Sequence, residues 1–169
     1  MLKATNFVKS QLQAVPKAAV VLGSGLGELA ELVEGQVDIP YAEIPGFLRS
    51  TVPGHAGRLI LGRLAGVEVI LMSGRFHRYE GYSHRDIALP VRMMKELGVG
   101  CLLLTNAAGG VNLSFQPGDL MLIEDHINLS GDNPLIGPND ESFGPRFPDM
   151  SRAYSPALSA VVQQAAEAC

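Results

Sequence analysis

The amino-acid sequence predicts an α/β fold: a largely parallel sheet with helical crossovers, to which a hairpin adds an antiparallel element. Three observations predict it. The apolar runs Lys17-Ala-Ala-Val-Val-Leu22 and Gly100-Cys-Leu-Leu-Leu-Thr105 each break into a turn of small residues. Helical spacing follows the first run and precedes the second. Two further apolar runs, 58–64 and 67–73, flank Ala65-Gly66, the separation of a tight hairpin.

Taken in order, Ala4, Val8 and Leu12 recur at helical spacing beside Phe7, and Pro16 ends that segment, which predicts a leading helix over 2–14. The strand at 17–22 enters Gly23-Ser-Gly-Leu-Gly27, after which Leu26, Leu29, Ala30 and Val33 read as a helix. The hairpin's second strand runs into the polar, aromatic loop Gly74-Arg-Phe-His-Arg-Tyr-Glu-Gly-Tyr-Ser83. Ser83 and Asp86 are spaced as a capping box for a helix whose core face is Ile87, Val91, Met94 and Leu97. Pro90 is expected to kink it and Gly98 to close it. A buried strand over 100–105 then enters the turn Asn106-Ala-Ala-Gly-Gly110. Residues 119–128 read as another strand. The Gly-, Pro- and Asn-rich stretch 129–148 is long for a loop in a compact domain and is therefore read as functional or intersubunit. Pro156 opens an alanine-rich helix. Without a repeat, low-complexity tract or linker, residues 1–169 read as one domain.

Composition narrows the function classes. The chain has 169 residues, 47% hydrophobic and 18% charged, which excludes disorder along its length and allows a core burying roughly 70% of the unfolded surface. Its formal net charge of −4 argues against nucleic acid or an acidic membrane as partner, so any bound anion must be caught locally. The start lacks the apolar stretch of a secretory signal and no run is long enough to span a bilayer, so the expected address is cytoplasmic. Cys101 and Cys169 read as free thiols, without metal-site spacing.

Small residues at two strand ends let backbone N–H groups close in on an anion, and Ser24 and Ala107 sit in such turns. One such turn alone is as readily a plain strand-to-helix corner; two together favour a ligand. Glu28 stands where a dinucleotide fingerprint needs its third glycine, no P-loop lysine follows, and Leu22 breaks the hydrolase elbow pattern, so Ser24 is a hydroxyl donor rather than a nucleophile. Arg75, His77, Arg78 and Tyr79 crowd into one short loop, offering a bidentate anion clamp, a switchable donor and a hydroxylated ring. The bland alternative is a solvated basic loop. His55 lies between glycines, where packing does little to explain an imidazole. Asp125 and His126 are read as a buried hydrogen-bonded pair rather than a metal site, His84 as a capping or solvated group, and Met93 and Met94 as core.

The motifs Val21-Leu-Gly-Ser-Gly-Leu-Gly27, Ile44-Pro-Gly-Phe47, Gly54-His-Ala-Gly57, Gly74-Arg-Phe-His-Arg-Tyr-Glu-Gly81 and Thr105-Asn-Ala-Ala-Gly-Gly110 occur in that order. So do Gly118-Asp119, Asp125-His-Ile-Asn128, Asn133-Pro-Leu135, Gly137-Pro-Asn-Asp140 and Arg146-Phe-Pro148. Together they resemble the trimeric purine nucleoside phosphorylases over nearly the whole chain. The resemblance implies a central mixed sheet flanked by helices, and phosphorolysis of purine ribonucleosides or deoxyribonucleosides to the free base and a pentose 1-phosphate. It implies no metal and no organic cofactor, inorganic phosphate being the co-substrate. By matched position, Ser24, His55, Arg75, His77 and the backbone N–H of Ala107 would hold phosphate, with His77 also the catalytic candidate. Tyr79 would contact the ribose, and Phe147 would be the aromatic lent to a neighbouring subunit of a homotrimer. Family members continue beyond this length and grip the purine with residues in that further part, so the chain is expected to be the amino-terminal portion. The methylthioadenosine phosphorylases are a weaker match, since they carry Thr where Ser24 stands and a different loop in place of Arg75 to Tyr79. A noncatalytic phosphate-binding fragment is the other alternative.

Overall fold

The structure is a computed structural model that describes residues 1–49 and 57–168; His55, the heart of one sequence motif, and Cys169 lie outside the described residues. The chain divides into two compact units, Met1–Ala108 and Gly109–Cys169.

In the first unit, α1 (Leu2–Gln11) is followed by β1 (Ala18–Leu22) and a 3₁₀ helix (Gly27–Leu32). Then come β2 (Glu34–Pro40), β3 (Arg58–Leu64) and β4 (Val67–Ser73). The helices α2 (His84–Ile87) and α3 (Leu89–Glu96) lead into β5 (Cys101–Leu104). The five strands form one mixed sheet in the order β2-β3-β4-β1-β5. β1 runs parallel to β4 and β5, while β2, β3 and β4 pair antiparallel. The hairpin stands at the residues its pattern specified, and its corner has Ala65 and Gly66 both at positive φ, 48° and 78°. That is the backbone twist a two-residue hairpin turn requires.

Alternation along the central strands feeds two apolar layers. Val21, Leu59, Leu61, Ile70 and Met72 pack with Ala4 and Val8 of α1 and with Met93, Met94 and Leu97. On the other face, Val20, Leu22, Ile60, Val69 and Leu71 pack with Ala30 and Val33.

Several elements differ from expectation. α1 ends at Gln11 rather than 14, and the segment after the first glycine turn is 3₁₀ rather than α. The helix at 84–97 is two pieces. α2 starts on the Ser83–Asp86 capping box, and α3 restarts at Leu89 with Pro90 in its first turn, where a missing N–H costs nothing. β5 is not buried: it is the sheet's edge, with Leu103 and Leu104 exposed. β2 lacked a clear sequence signal, because only Val37 and Ile39 alternate in an otherwise polar segment.

In the second unit the described helix is α4 (Pro156–Glu167), whose Ser155 hydroxyl accepts the Leu158 N–H. Much of the remainder is organised by side chains turning back on the backbone. Asn112, Asn128, Asp140 and Asp149 accept the N–H groups of Ser114, Ser130, Ser142 and Ser151 respectively. The strand expected at 119–128 does not form. A strand exists only where a neighbour takes its N–H and C=O groups, and no ladder among the described residues includes this segment. Asp125 and His126 are correspondingly exposed, not a buried pair. The His126 N–H donates to Asp125 Oδ1, and its ring stacks with that of Tyr154.

Among the described residues, no helix is long and apolar enough to cross a membrane, and no group of three His, Cys, Asp or Glu is placed to hold a metal.

Candidate functional site

Parallel pairing aligns the carboxyl ends of β4, β1 and β5. Leu22 is in register with Ser73, and Val21 with Leu104. The residues that leave those ends are Gly23-Ser24, Gly74-Arg75 and Thr105-Asn106-Ala107, so three loops meet at one edge of the sheet. This is where open α/β sheets bind ligands.

The loops are tied together by Thr105. Its N–H donates to the Val21 carbonyl (3.1 Å), extending the parallel ladder one residue beyond β5. Its hydroxyl donates to the same carbonyl (2.9 Å) and accepts the Gly23 N–H (2.7 Å). Its carbonyl accepts from Arg75 Nη1 (2.8 Å). Gly23 has no substitute here: a Cβ would stand 2.7 Å from the Thr105 oxygen and 2.9 Å from Asn106 Cα.

The loop after β4 is anchored by its aromatic. Phe76 is buried with its ring centroid 5.2 Å from Tyr41, 5.6 Å from Phe47 and 5.9 Å from Tyr82. Tyr41 donates its hydroxyl to the Gly74 carbonyl (2.6 Å). Burial holds the Tyr41 phenol far above its ordinary value, so it remains a donor. Arg75 and His77, the neighbours of that anchor, are half-buried, with Arg75 Nε 3.3 Å from His77 Nε2. On its other side the imidazole Nδ1 meets Glu80 Oε1. Tyr79 stacks on His77 with centroids 4.6 Å apart and planes 17° apart, yet is 75% exposed.

Of the residues singled out from sequence, Ser24, Arg75, His77, Tyr79 and Ala107 therefore lie on these converging loops. Ser24 and Ala107 are exposed, each in its turn of small residues. His55 is outside the described residues. Phe147 belongs to the second unit, where it is exposed beside Arg146, whose Nη1 donates to the carbonyls of Leu135 and Gly137. Arg78 is exposed and donates to the Tyr82 carbonyl. Sequence reasoning missed Thr105, Glu80 and Tyr41. For Glu80 a local signal existed, since it follows His77 by the three residues of a capping box.

Chemically, the arrangement offers a guanidinium, a serine hydroxyl and small-residue turns, the donors an oxyanion needs, with an imidazole set against the guanidinium. Parallel strands ending in such donor-bearing loops define a class of α/β proteins whose ligand site lies at the strands' carboxyl ends. The chain belongs to the phosphorylase superfamily, which residues 17–168 match. Purine nucleoside phosphorylase 1 of Bacillus subtilis is 56% identical over 98% of this chain and 61% of its own length. The purine nucleoside phosphorylase of Bos taurus is 54% identical over 88% of the chain and 53% of its length. Among solved structures, isoform 2 of the Schistosoma mansoni purine nucleoside phosphorylase, in complex with cytosine and ribose-1-phosphate, superposes with a TM-score of 0.91 at 46% identity. That match covers 98% of this chain and 59% of the other. The chain thus spans between 53% and 61% of the length of these relatives.

Proposed function

We propose that the chain is the phosphate- and pentose-binding portion of a purine nucleoside phosphorylase acting in purine salvage. A phosphate oxygen attacks the anomeric carbon of a purine ribonucleoside or deoxyribonucleoside. The glycosidic C–N bond breaks and its electron pair goes to the departing purine, which takes up the proton that the attacking hydrogen phosphate gives up, and pentose 1-phosphate is left. The single observation that carries this reading is the linked set Gly23, Thr105, Arg75 and His77, which joins three loops at the carboxyl ends of parallel strands.

In this reading Ser24, His55, Arg75, His77 and the Ala107 N–H hold phosphate, and Tyr79 contacts the ribose. Among these residues His77 is the catalytic one. Fixed donors around the anion orient it beneath the sugar, and its negative charge stabilises the oxocarbenium character that develops there. Phe147 serves the nucleoside pocket of a neighbouring subunit in a homotrimer. The enzyme is cytoplasmic and uses neither metal nor organic cofactor.

The coverage of about 60% favours a second reading for the 169 residues taken alone, a phosphate-binding portion without turnover. Incubating the purified chain with inosine or guanosine and phosphate, and following release of hypoxanthine or guanine, separates the two. Calorimetric titration with orthophosphate tests what they share. Arg75→Ala is expected to weaken phosphate binding by about tenfold or more, the scale of a lost charge-assisted hydrogen bond, and Arg78→Ala to leave it within about twofold. Equal losses from the two would defeat the assignment.

A further inference from the structure

We propose that Thr105 is the positioning residue that holds the two glycine-cornered turns and the Arg75 guanidinium as one preorganised anion cradle; this rests on the phosphate-binding reading above.

β1 and β5 stay paired through Val21 and Leu104, and the Thr105 N–H adds a last rung to the Val21 carbonyl. Beyond it the two backbones turn into separate loops, and a ladder can no longer join them. The Thr105 side chain continues the sheet's bonding where the backbone stops. Its hydroxyl is used in both directions, donating to Val21 and accepting from Gly23. Donating to Val21 turns an oxygen lone pair toward the Gly23 N–H, which fixes the start of the Ser24 turn. Meanwhile the Thr105 carbonyl holds Arg75 Nη1, leaving the rest of the guanidinium fork for a ligand and for its contact with His77. One residue so constrains three ligand-bearing segments while carrying no atom the phosphate itself has to touch. Preorganisation of this kind strengthens binding by removing the ordering each loop would otherwise undergo with the anion.

Thr105→Val keeps the branched shape and removes the hydroxyl; Thr105→Ser keeps the hydroxyl and removes the methyl. Orthophosphate affinity of the full 169-residue chain is read by calorimetry, folding by thermal melting, and the turn by amide exchange at Gly23. Thr105→Val is expected to bind phosphate about tenfold more weakly in its folded form and to lose Gly23 protection, and Thr105→Ser to restore both to within about threefold. A role in stability alone predicts a lower melting temperature with unchanged affinity in the folded fraction, and that result overturns the proposal. Serine binding as weakly as valine also overturns it. Should the valine variant not fold, the serine variant and the wild-type Gly23 amide decide: an amide exchanging at the rate of an open turn refutes the bond. If the wild-type chain takes up no phosphate, the phosphate reading itself falls and the role of Thr105 with it; if it does and Thr105→Val matches it, only the present inference fails.

Discussion

Glu80 Oε1 lies 2.9 Å from His77 Nδ1 and, with the same oxygen, accepts the His77 backbone N–H at 2.8 Å. The Glu80 side chain is 2% exposed, so both contacts are shielded from competing water. A carboxylate facing Nδ1 favours the tautomer with its proton there and turns Nε2 toward Arg75. Glu80→Ala removes the carboxylate from the backbone N–H and the ring together. The expected cost is about 1–3 kcal/mol of stability, with weaker phosphate binding because the imidazole is free to rotate. Chemical denaturation and phosphate titration of the same samples check both parts.

Gly23 and Gly27 share one glycine-rich motif but answer to different physics. At Gly23 an alanine Cβ would meet backbone atoms of Thr105 and Asn106 below 3.0 Å, which only a shift of one loop can relieve. At Gly27, the first residue of the 3₁₀ helix, a Cβ meets nothing within 4 Å. Gly23→Ala is expected to destabilise by about 1–3 kcal/mol, as overpacking does, and to disturb the Ser24 turn. Gly27→Ala is expected to be neutral or stabilising by under about 1 kcal/mol, since it restricts the unfolded chain. Urea midpoints of the two variants should fall on opposite sides of, or one well below, the wild-type value.

The same contrast explains how much was legible in the sequence. The β3–β4 hairpin was readable because its corner is local: Ala65 and Gly66 set the register, and alternation within seven residues sets the faces. The run at 120–123, Leu-Met-Leu-Ile, carries the same apolar signal, yet whether a strand forms there depends on a partner no local pattern specifies. β2 is the converse, a weakly patterned segment made a strand by β3. At the site, glycine turns and the Arg75–Tyr79 cluster mark the loops that converge. The roles of Thr105 and Tyr41 escape because their bonds join residues far apart in sequence, Gly23 to Thr105 and Tyr41 to Gly74.

Tyr41 links core stability to pH. Its ring is buried and its hydroxyl serves the Gly74 carbonyl, so the folded protein disfavours the phenolate and the pKa is raised. The contribution is intact below the ordinary tyrosine value near 10 and is lost as pH rises above it, because the unfolded chain can release the proton there while the folded chain cannot. Above about pH 10 the melting temperature of the wild type should fall more steeply than that of Tyr41→Phe. At neutral pH the order reverses, with Tyr41→Phe about 1–2 kcal/mol less stable for want of the donor to Gly74. Parallel slopes across the alkaline range would remove Tyr41 from this account.

β5 sets how the chain behaves at high concentration. Its inner side is fully engaged with β1, while its outer side is the sheet's edge, and Leu103 and Leu104 are 45% and 57% exposed there. An apolar edge with free backbone donors and acceptors is a template for another strand, and a charge placed on it is the usual deterrent. Leu103→Lys puts an ammonium on that edge. The Thr105 bonds run to Val21, Gly23 and Arg75, so the change removes none of their donors or acceptors. Because the leucine is nearly half exposed, the loss of apolar burial is expected to stay under about 1.5 kcal/mol. Light scattering against concentration is expected to show self-association of the wild-type chain and much less of it in Leu103→Lys at equal secondary structure. Association undiminished by the lysine would move the sticky surface elsewhere, to the exposed apolar side chains of the second unit such as Leu113 and Leu120.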